Sequence, residues 1–414
     1  MSEKRKIRGQ WWASDKPDDK WIGTLTLEPA KSPRLKVSVA RNCFGMLEMK
    51  APPVIHGHDD QGKPVTLLFP SWPRTHGGLA MTQMEFGAGY AVLGLELAAP
   101  ADFLVNTLTF RLQHLYEWLG ITGFVRDPKN TLDHHLVTYR RPDDQTFTIN
   151  PGLTLEIQPS HSRHTHRSER TVREDIRLSF KSPKGLGLAE CNELMSALRN
   201  LLHFATLAPV YMLSMAAGKD GHGLTHNGSF HPHDIQVWTS IIREPVESDP
   251  RWVFRFPDVQ PRFAALFAAW LDFCRAYEEA IRCYSTTVYH RLPDSIEHLC
   301  LTQALEAYHG TKFGRQRFAS RILALAQQFL PYLTGLVSDA AAFAEDVKDN
   351  RNYYTHHDPT IKQGGRVLSG AKLLRLNEKL RLIFQMCILT ELDIPADRFS
   401  ILRRQLASDI IDYI

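Results

Sequence analysis

The chain has no apolar run near the ~20 residues needed to cross a bilayer, which argues against a membrane-spanning protein. Its first residues, MSEKRKIRGQ, are basic but lead into no apolar stretch of the signal-peptide kind, so the expectation is a cytoplasmic protein. Cysteine is sparse. The six present (Cys43, Cys191, Cys274, Cys283, Cys300 and Cys387) form no C-x-x-C pair, which excludes a zinc ribbon or a disulfide framework and leaves reduced, mostly buried thiols. Internal repeats and low-complexity tracts are absent. Neither sign of charge dominates: 49 Lys and Arg against 45 Asp and Glu give a formal net charge of +4. That small excess permits an anionic partner such as nucleic acid without arguing for one.

What is present is ordinary for a globular protein: 43% hydrophobic and 23% charged residues over 414 positions, enough for two or three cored domains. Residues 1–182 read as β-rich. Short alternating runs (GTLTLE, RLKVSVA, KPVTLLF, YAVLGLEL, TFTI) are separated by Pro, Gly, Asp and His clusters, and DDQG at Asp59–Gly62 predicts a hairpin turn. Trp11, Trp12, Trp21 and Trp72 suggest the aromatic core of a sandwich or barrel, with a sugar or base platform as the alternative. HSRHTHRSERTVRED, from His161, reads as a solvated loop running into the strand-like IRLSF; a phosphate-contacting patch is the alternative. His161, His164 and His166 have no matching cysteine or carboxylate cluster to make them metal ligands.

Residues 183–290 form a mixed connecting region. LAECNELMSALRNLLHFATL is an amphipathic helix ended by Pro209, and YMLSMAA with DIQVWTSII predicts a strand pair around a loop holding His222, His226, His231 and His233. A metal-dependent hydrolase built on those histidines is a possible reading, but their spacing does not recommend it. After Pro261 the pattern is helical. FAALFAAWLDFCRAYEEAIRCY reads as one long helix, and Asp294 or Ser295 as the cap of IEHLCLTQALEAYH, with Leu301, Ala304, Leu305 and Tyr308 on one face. FASRILALAQQFL, a helix ending in DNRNYYTHHDP, a KQGG loop (Lys362–Gly365), KLLRLNEKLRLIFQMCILTEL from Gly370 and a short RFSILRRQLASDII helix complete the chain. The class is α+β: a β-rich sandwich or barrel-like domain, then a helical bundle over 291–414.

DNRNYYTHHDP carries the chemistry. Ala340, Phe343, Ala344, Val347 and Tyr354 share a helical stripe, and Arg351 falls near its middle, where a guanidinium demands an anionic partner. Proline at 359 disfavours helix in Asp358, so the helix should stop near His356 or His357. On an ideal helix Arg351 and His356 point about 140° apart, so they converge on one ligand only if the last turn unwinds or a second chain contributes. Asn352 shares a face with His356 and could orient its imidazole; the helix end and Asp358 favour protonated histidine. The pair suits metal-free RNA cleavage, with histidine moving a proton and arginine holding the phosphate. The structural alternative is an arginine paired with a buried carboxylate.

In this setting LTQALEAYH (Leu301–His309), FASR (Phe318–Arg321) and RNYYTHHDP (Arg351–Pro359) resemble the HEPN superfamily, specifically its ApeA-like branch. GQWW, IGTLTLE and VIHGHDDQGKPVTL look like the β-rich domain that accompanies it; the resemblance is loose over roughly 185–290. It implies a bacterial antiphage, abortive-infection-type defence protein whose HEPN domain over 291–414 is a metal-independent endoribonuclease, active as a homodimer without cofactor and answering a phage-derived trigger. It assigns the R-x4-H pair to Arg351 and His356, the polar residue after the arginine to Asn352, and a partner for the arginine to Glu306. His357 competes with His356 for the imidazole role. The alternative from another class is a non-catalytic HEPN scaffold that binds RNA or protein.

Overall fold

A computed structural model describes residues 4–40, 51–77, 81–126, 137–166, 169–226, 229–232, 235–357 and 359–404. The chain forms two compact units, Met1–Arg199 with Val210–Glu247, and Asn200–Pro209 with Ser248–Ile414.

The first unit is built on an antiparallel barrel. Its strands are β1 (Arg5–Ala13), β2 (Trp21–Leu27), β3 (Arg34–Ala40), β4 (Val54–Asp59), β5 (Pro64–Pro70) and, after the short β6 (Arg74–Gly77), β7 (Met81–Leu93). The order β7-β3-β2-β1-β4-β5 closes through pairing of β5 back onto β7. Alternation decides what faces inward: Trp11, Trp21, Leu25, Leu35, Val37 and Phe86 fill the lumen, while Ile22 stands 66% exposed outside. Of the four tryptophans, Trp11 and Trp21 are core, but Trp72 is exposed and Trp12, one position on from Trp11, faces outward against His56. The DDQG turn forms as expected: Asp59 Oδ1 accepts from the backbone N–H of Gln61 and of Lys63, and Gly62 takes φ +77°.

β7 joins the barrel to a larger sheet. Its C-terminal half also pairs with β17 (Ile235–Thr239). Beyond it lie β14 (Met212–Gly218), β8 (Leu104–Leu112), β13 (Glu169–Gly187), β12 (Leu153–His166) and β11 (Gln145–Asn150). The strand pair expected around residues 211–242 is present, with Ala216 opposite Gln236 and Ala217 opposite Ile235. Short ribbons of β9 (Phe124–Arg126) with β10 (Val137–Tyr139), and of β15 (Gly223–His226) with β16 (Ser229–Pro232), complete the strands. The histidine-rich stretch is not a loop. β12 and β13 pair without interruption from Thr154–Lys181 out to His166–Glu169. Buried Leu155, Ile157, Leu178 and Phe180 anchor the base of this hairpin, and beyond it the sequence is almost entirely polar, so no alternation marked it as strand.

Helix α1 (Leu115–Leu119) lies in the first unit; α2 (Leu188–Thr206) runs from the first unit's segment into the second's. The second unit continues with α3 (Phe256–Val259), α4 (Phe263–Ala276), α5 (Glu278–Tyr289), α6 (Asp294–Phe313), α7 (Phe318–Gln328), α8 (Ala340–His356), α9 (Pro359–Gln363) and α10 (Ala371–Glu391). Leu301, Ala304, Leu305 and Tyr308 are buried as the α6 stripe predicts. Three expectations need correction. The long helix from Phe263 breaks at Tyr277 (φ −117°, ψ 31°), whose ring is stacked on Phe273 at 4.2 Å and lies 5.5 Å from Tyr308, a tertiary contact no local signal announces. Pro293, not Asp294 or Ser295, is the N-cap of α6. Part of the KQGG loop is the short helix α9, with the turn following at Gly364 and Gly365. The last expected helix starts as predicted, but its end lies outside the described residues.

No described helix is long and apolar enough to cross a membrane. Burial pushes the Cys191 thiol up to about 12 and raises that of Cys387 further, so neither is a ready nucleophile.

The seam between β1 and β4 leaves no room for a side chain at Gly9, where an added Cβ would lie 1.9 Å from the His58 carbonyl oxygen. Gly9→Ala is expected to destabilise the protein by about 1–3 kcal/mol, seen as a lower melting temperature. Gly89→Ala, whose methyl comes no nearer than 3.4 Å to Phe69, should melt close to the wild type; equal melting of both variants would contradict the seam's packing.

Candidate active site

Helix α8 starts on Asp339, whose Oδ1 accepts from the backbone N–H groups of Ala341 (2.8 Å) and Ala342 (3.1 Å). Ala340, Phe343, Ala344 and Val347 are buried, and the same line continues through a polar residue, Asn350, which is fully buried. Asn350 is satisfied by main chain: Nδ2 donates to the carbonyls of Asp346 (2.8 Å) and Arg366 (3.3 Å), and Oδ1 accepts from Leu368 N (2.7 Å). The Tyr354 hydroxyl donates to the Leu368 carbonyl at 2.5 Å, and Arg366 Nη1 reaches Asp349 Oδ2 at 2.9 Å. The strand of chain after α9 is thereby tied along the motif. The helix ends where expected. His357 turns left-handed (φ 53°, ψ 37°), a conformation that costs an L-residue roughly 1–2 kcal/mol, and its N–H donates to Tyr353 O at 2.6 Å. Asp358, to which the stop was ascribed, lies outside the described residues.

Arg351 sits on the shoulder of the buried line rather than at its centre, its side chain 31% exposed. The anionic partner is there. Arg351 Nη2 lies 3.7 Å from Glu306 Oε2 on α6, and its guanidinium carbon lies 5.4 Å from the centre of the Phe318 ring on α7. Glu306 is shared: its other oxygen lies 3.5 Å from Arg321 Nη1. Arg321, only 12% exposed, also donates to the carbonyls of Glu306 (3.1 Å) and Gln316 (2.9 Å). One carboxylate between two guanidiniums leaves a surplus positive charge at the surface, the condition for holding an anion.

Asn352 does not act on His356. Its Oδ1 accepts from Arg351 Nη1 at 3.3 Å, so the amide is turned toward its neighbour in sequence instead of the residue one turn on. His356 is exposed and forms no hydrogen bond or ion pair with a described residue. The helix stays α-helical through His356, and Thr355 Oγ1 bonds back to the Arg351 carbonyl at 2.7 Å, so the last turn does not unwind to bring the two side chains together. At five residues' separation they project about 140° apart. Within one chain the arginine is assembled with Glu306 and Asn352, and the histidine stands apart. The His357 ring packs edge-on against Tyr353 at 5.7 Å.

Among the described residues no group of three His, Cys, Asp or Glu is placed to hold a metal ion. His161 lies against Tyr139 (ring centres 4.7 Å apart), and His222 Nε2 meets the Gly94 carbonyl at 2.7 Å; His233 lies outside the described residues. Sequence reasoning assigned no role to Arg321, Phe318 or Asn350. Phe318, Arg321, Ile322 and Leu325 follow helical spacing, so Arg321 carried the same signal as Arg351, a cation beside an apolar stripe. Nothing local marks Asn350, two of whose three partners come from sixteen and eighteen residues away.

Two family models match the chain: ApeA N-terminal domain 1 over residues 6–270, and Apea-like HEPN over residues 299–398. No curated protein and no solved structure matches it.

Beneath the motif, fully buried His298 of α6 has its ring centre 6.2 Å from that of Tyr354 and its Nδ1 2.9 Å from Asn377 Oδ1 of α10. Burial depresses its pKa below the ordinary 6.5, and burial with the nearby Arg321 does the same to His309. Protons refused by the fold are taken up by the unfolded chain, so stability present above about pH 6.5 is lost as the pH falls toward the folded-state values. Melting temperature is therefore expected to drop on acidification from about pH 8 to about pH 5, and His298→Gln to shallow that drop; an unchanged slope in the variant would contradict the assignment.

Proposed function

Since the chain belongs to the ApeA-like HEPN family, a family with nuclease and defence roles, we propose that it is an antiphage, abortive-infection-type endoribonuclease that cuts RNA without metal at a site completed by two copies of the chain. The observation that carries this reading is the arginine's setting. A partly exposed guanidinium, aligned by Glu306 and the Phe318 face, stands five residues before an exposed imidazole that has no partner among the described residues.

Arg351 holds the non-bridging oxygens of a phosphodiester as charge builds on phosphorus. Histidine 356 as free base (His356) takes the proton of the ribose 2′-OH; the 2′ oxygen bonds to phosphorus while the bond to the 5′ oxygen breaks. A second, protonated imidazole gives the leaving oxygen its proton, so the products are a 2′,3′-cyclic phosphate and a 5′-OH, with no redox change and no cofactor. Because Arg351 and His356 of one helix diverge, the second imidazole and the facing arginine come from a second copy. Glu306 positions Arg351, and the Asn352 amide nitrogen is available to donate to a substrate oxygen. The enzyme works in the cytoplasm, where its RNA is, and is released by a phage-derived trigger. A non-catalytic RNA- or protein-binding scaffold is the second reading. It draws on the same Arg351–Glu306 pair, which links α6 to α8 whether or not chemistry follows.

Cleavage of RNA in the presence of chelator, assayed with purified protein, decides between them. Arg351→Ala and His356→Ala should each lower the rate by roughly 10²–10⁴-fold while the melting temperature holds. Adding excess His356→Ala chain to the wild type should suppress cleavage, because a mixed dimer holds one imidazole where the mechanism needs two. A His356→Ala protein that cuts at the wild-type rate would remove the mechanism; RNA bound but left uncut by the wild type would establish the scaffold.

A further inference from the structure

The outer face of the barrel carries an organised charge pattern that the site on α8 does not use. Outward positions on β1, β2 and β3 lie in register as rungs across the sheet. Lys6 stands opposite Thr26, and Thr26 opposite Arg34. Arg8 stands opposite Thr24, and Thr24 opposite Lys36. Cations thus flank a central strand that presents only hydroxyls at these two rungs. Strands are ~4.8 Å apart, so the two cationic walls are separated by about 10 Å. The result is an open trough of about 610 Å³ along β2, which Lys4 extends at one end.

The acidic groups nearby do not cancel it. Glu28 is held by Lys4 (3.3 Å) and Lys31 (2.6 Å), and Glu85 by Lys36 (3.2 Å) and Arg34 (4.0 Å). Lys6 and Arg8 have no carboxylate partner among the described residues. Lys4, Arg34 and Lys36 side chains are each 54% exposed. Like charges held in rows on a rigid sheet repel one another, and an anionic strand lying between them relieves that repulsion.

We propose that this trough binds the sugar–phosphate backbone of single-stranded RNA, with Lys6 and Arg8 on one wall and Arg34 and Lys36 on the other. Its lining includes one large apolar side chain, Ile22, and no aromatic ring. That composition lacks the apolar centre of a protein–protein interface and the stacking platform of a base reader, so recognition is of phosphates and independent of sequence. The choice of RNA among polyanions rests on the ribonuclease reading; the trough's polyanion chemistry does not.

The test uses the full chain carrying His356→Ala, so that RNA survives, and follows the anisotropy of labelled oligouridine and oligoadenosine over a range of salt. Both oligomers should bind alike. Lys6→Gln with Arg8→Gln should weaken binding about tenfold or more and reduce the slope of log affinity against log salt by about 1.4, two single-strand phosphate contacts at ~0.7 each. Lys6→Glu with Arg8→Glu should weaken binding further, to what the α8 site alone retains, and melting curves confirm that each variant is folded. Unchanged affinity in both variants, or binding without salt dependence, would overturn the proposal. So would polyglutamate competing as well as RNA, which would mark the trough as a site for acidic polypeptide. Cleavage by the wild-type chain is scored separately. RNA binding in the trough by a chain that cuts nothing would sink the ribonuclease reading alone, and cleavage with an unaffected Lys6/Arg8 variant would sink the trough alone.

Discussion

The carboxylate of Glu306 is the constraint on which the candidate site depends. It faces Arg321 of α7 and Arg351 of α8 from its place on α6, and so ties three helices together at the surface end of their shared core. A lone guanidinium beside an apolar stripe would be expensive to desolvate; one carboxylate shared by two leaves Arg351 compensated yet exposed on one side. Arg321 is further committed to two main-chain carbonyls, which holds the turn between α6 and α7 and with it the carboxylate. Arg351, proposed to hold the phosphate, is therefore positioned by side chains whose own places are set by main chain, the arrangement a preorganised electrostatic site requires.

On the other side of α8 the buried amide of Asn350 performs the corresponding task for the chain that follows. Its three main-chain hydrogen bonds, with Tyr354 and the Asp349–Arg366 pair, draw residues 366–368 against the motif. The helix can then end abruptly at a left-handed His357, a modest strain the surrounding bonds hold in place. The barrel solves a different problem with different means. Six strands closed on a tryptophan-rich lumen leave the barrel's sheet edges few, and its outward face is free to carry charge in rows.

Much of this was legible in the residues. Strands such as RLKVSVA and TFTI alternate cleanly, the α6 stripe follows helical spacing, and DDQG names its own turn, because in each case the local pattern agrees with what the fold buries. Where burial and local pattern part, reading failed. The outer β12–β13 hairpin is almost entirely polar in sequence, β7 is interrupted by glycines, and the break at Tyr277 has neither proline nor glycine to mark it. At the site, Arg351, His356 and the helix end could be placed from spacing, and Glu306 from family likeness. Asn352 turning to Arg351, the sharing of Glu306 with Arg321, and the buried Asn350 could not.

By itself, then, the sequence determined the class of the fold, the run of helices that carries R-x4-H, and the divergence of its two ends, since 3.6 residues per turn follows from backbone geometry alone. Tertiary structure decided the rest: which carboxylate compensates the arginine, how much of it stays in water, and which outward side chains of three strands fall into register as a cationic trough. The physical reason is range. Periodicity and turn chemistry act over a few residues, whereas a shared ion pair or a rung across a sheet joins positions that only closure of the fold brings within a few ångströms.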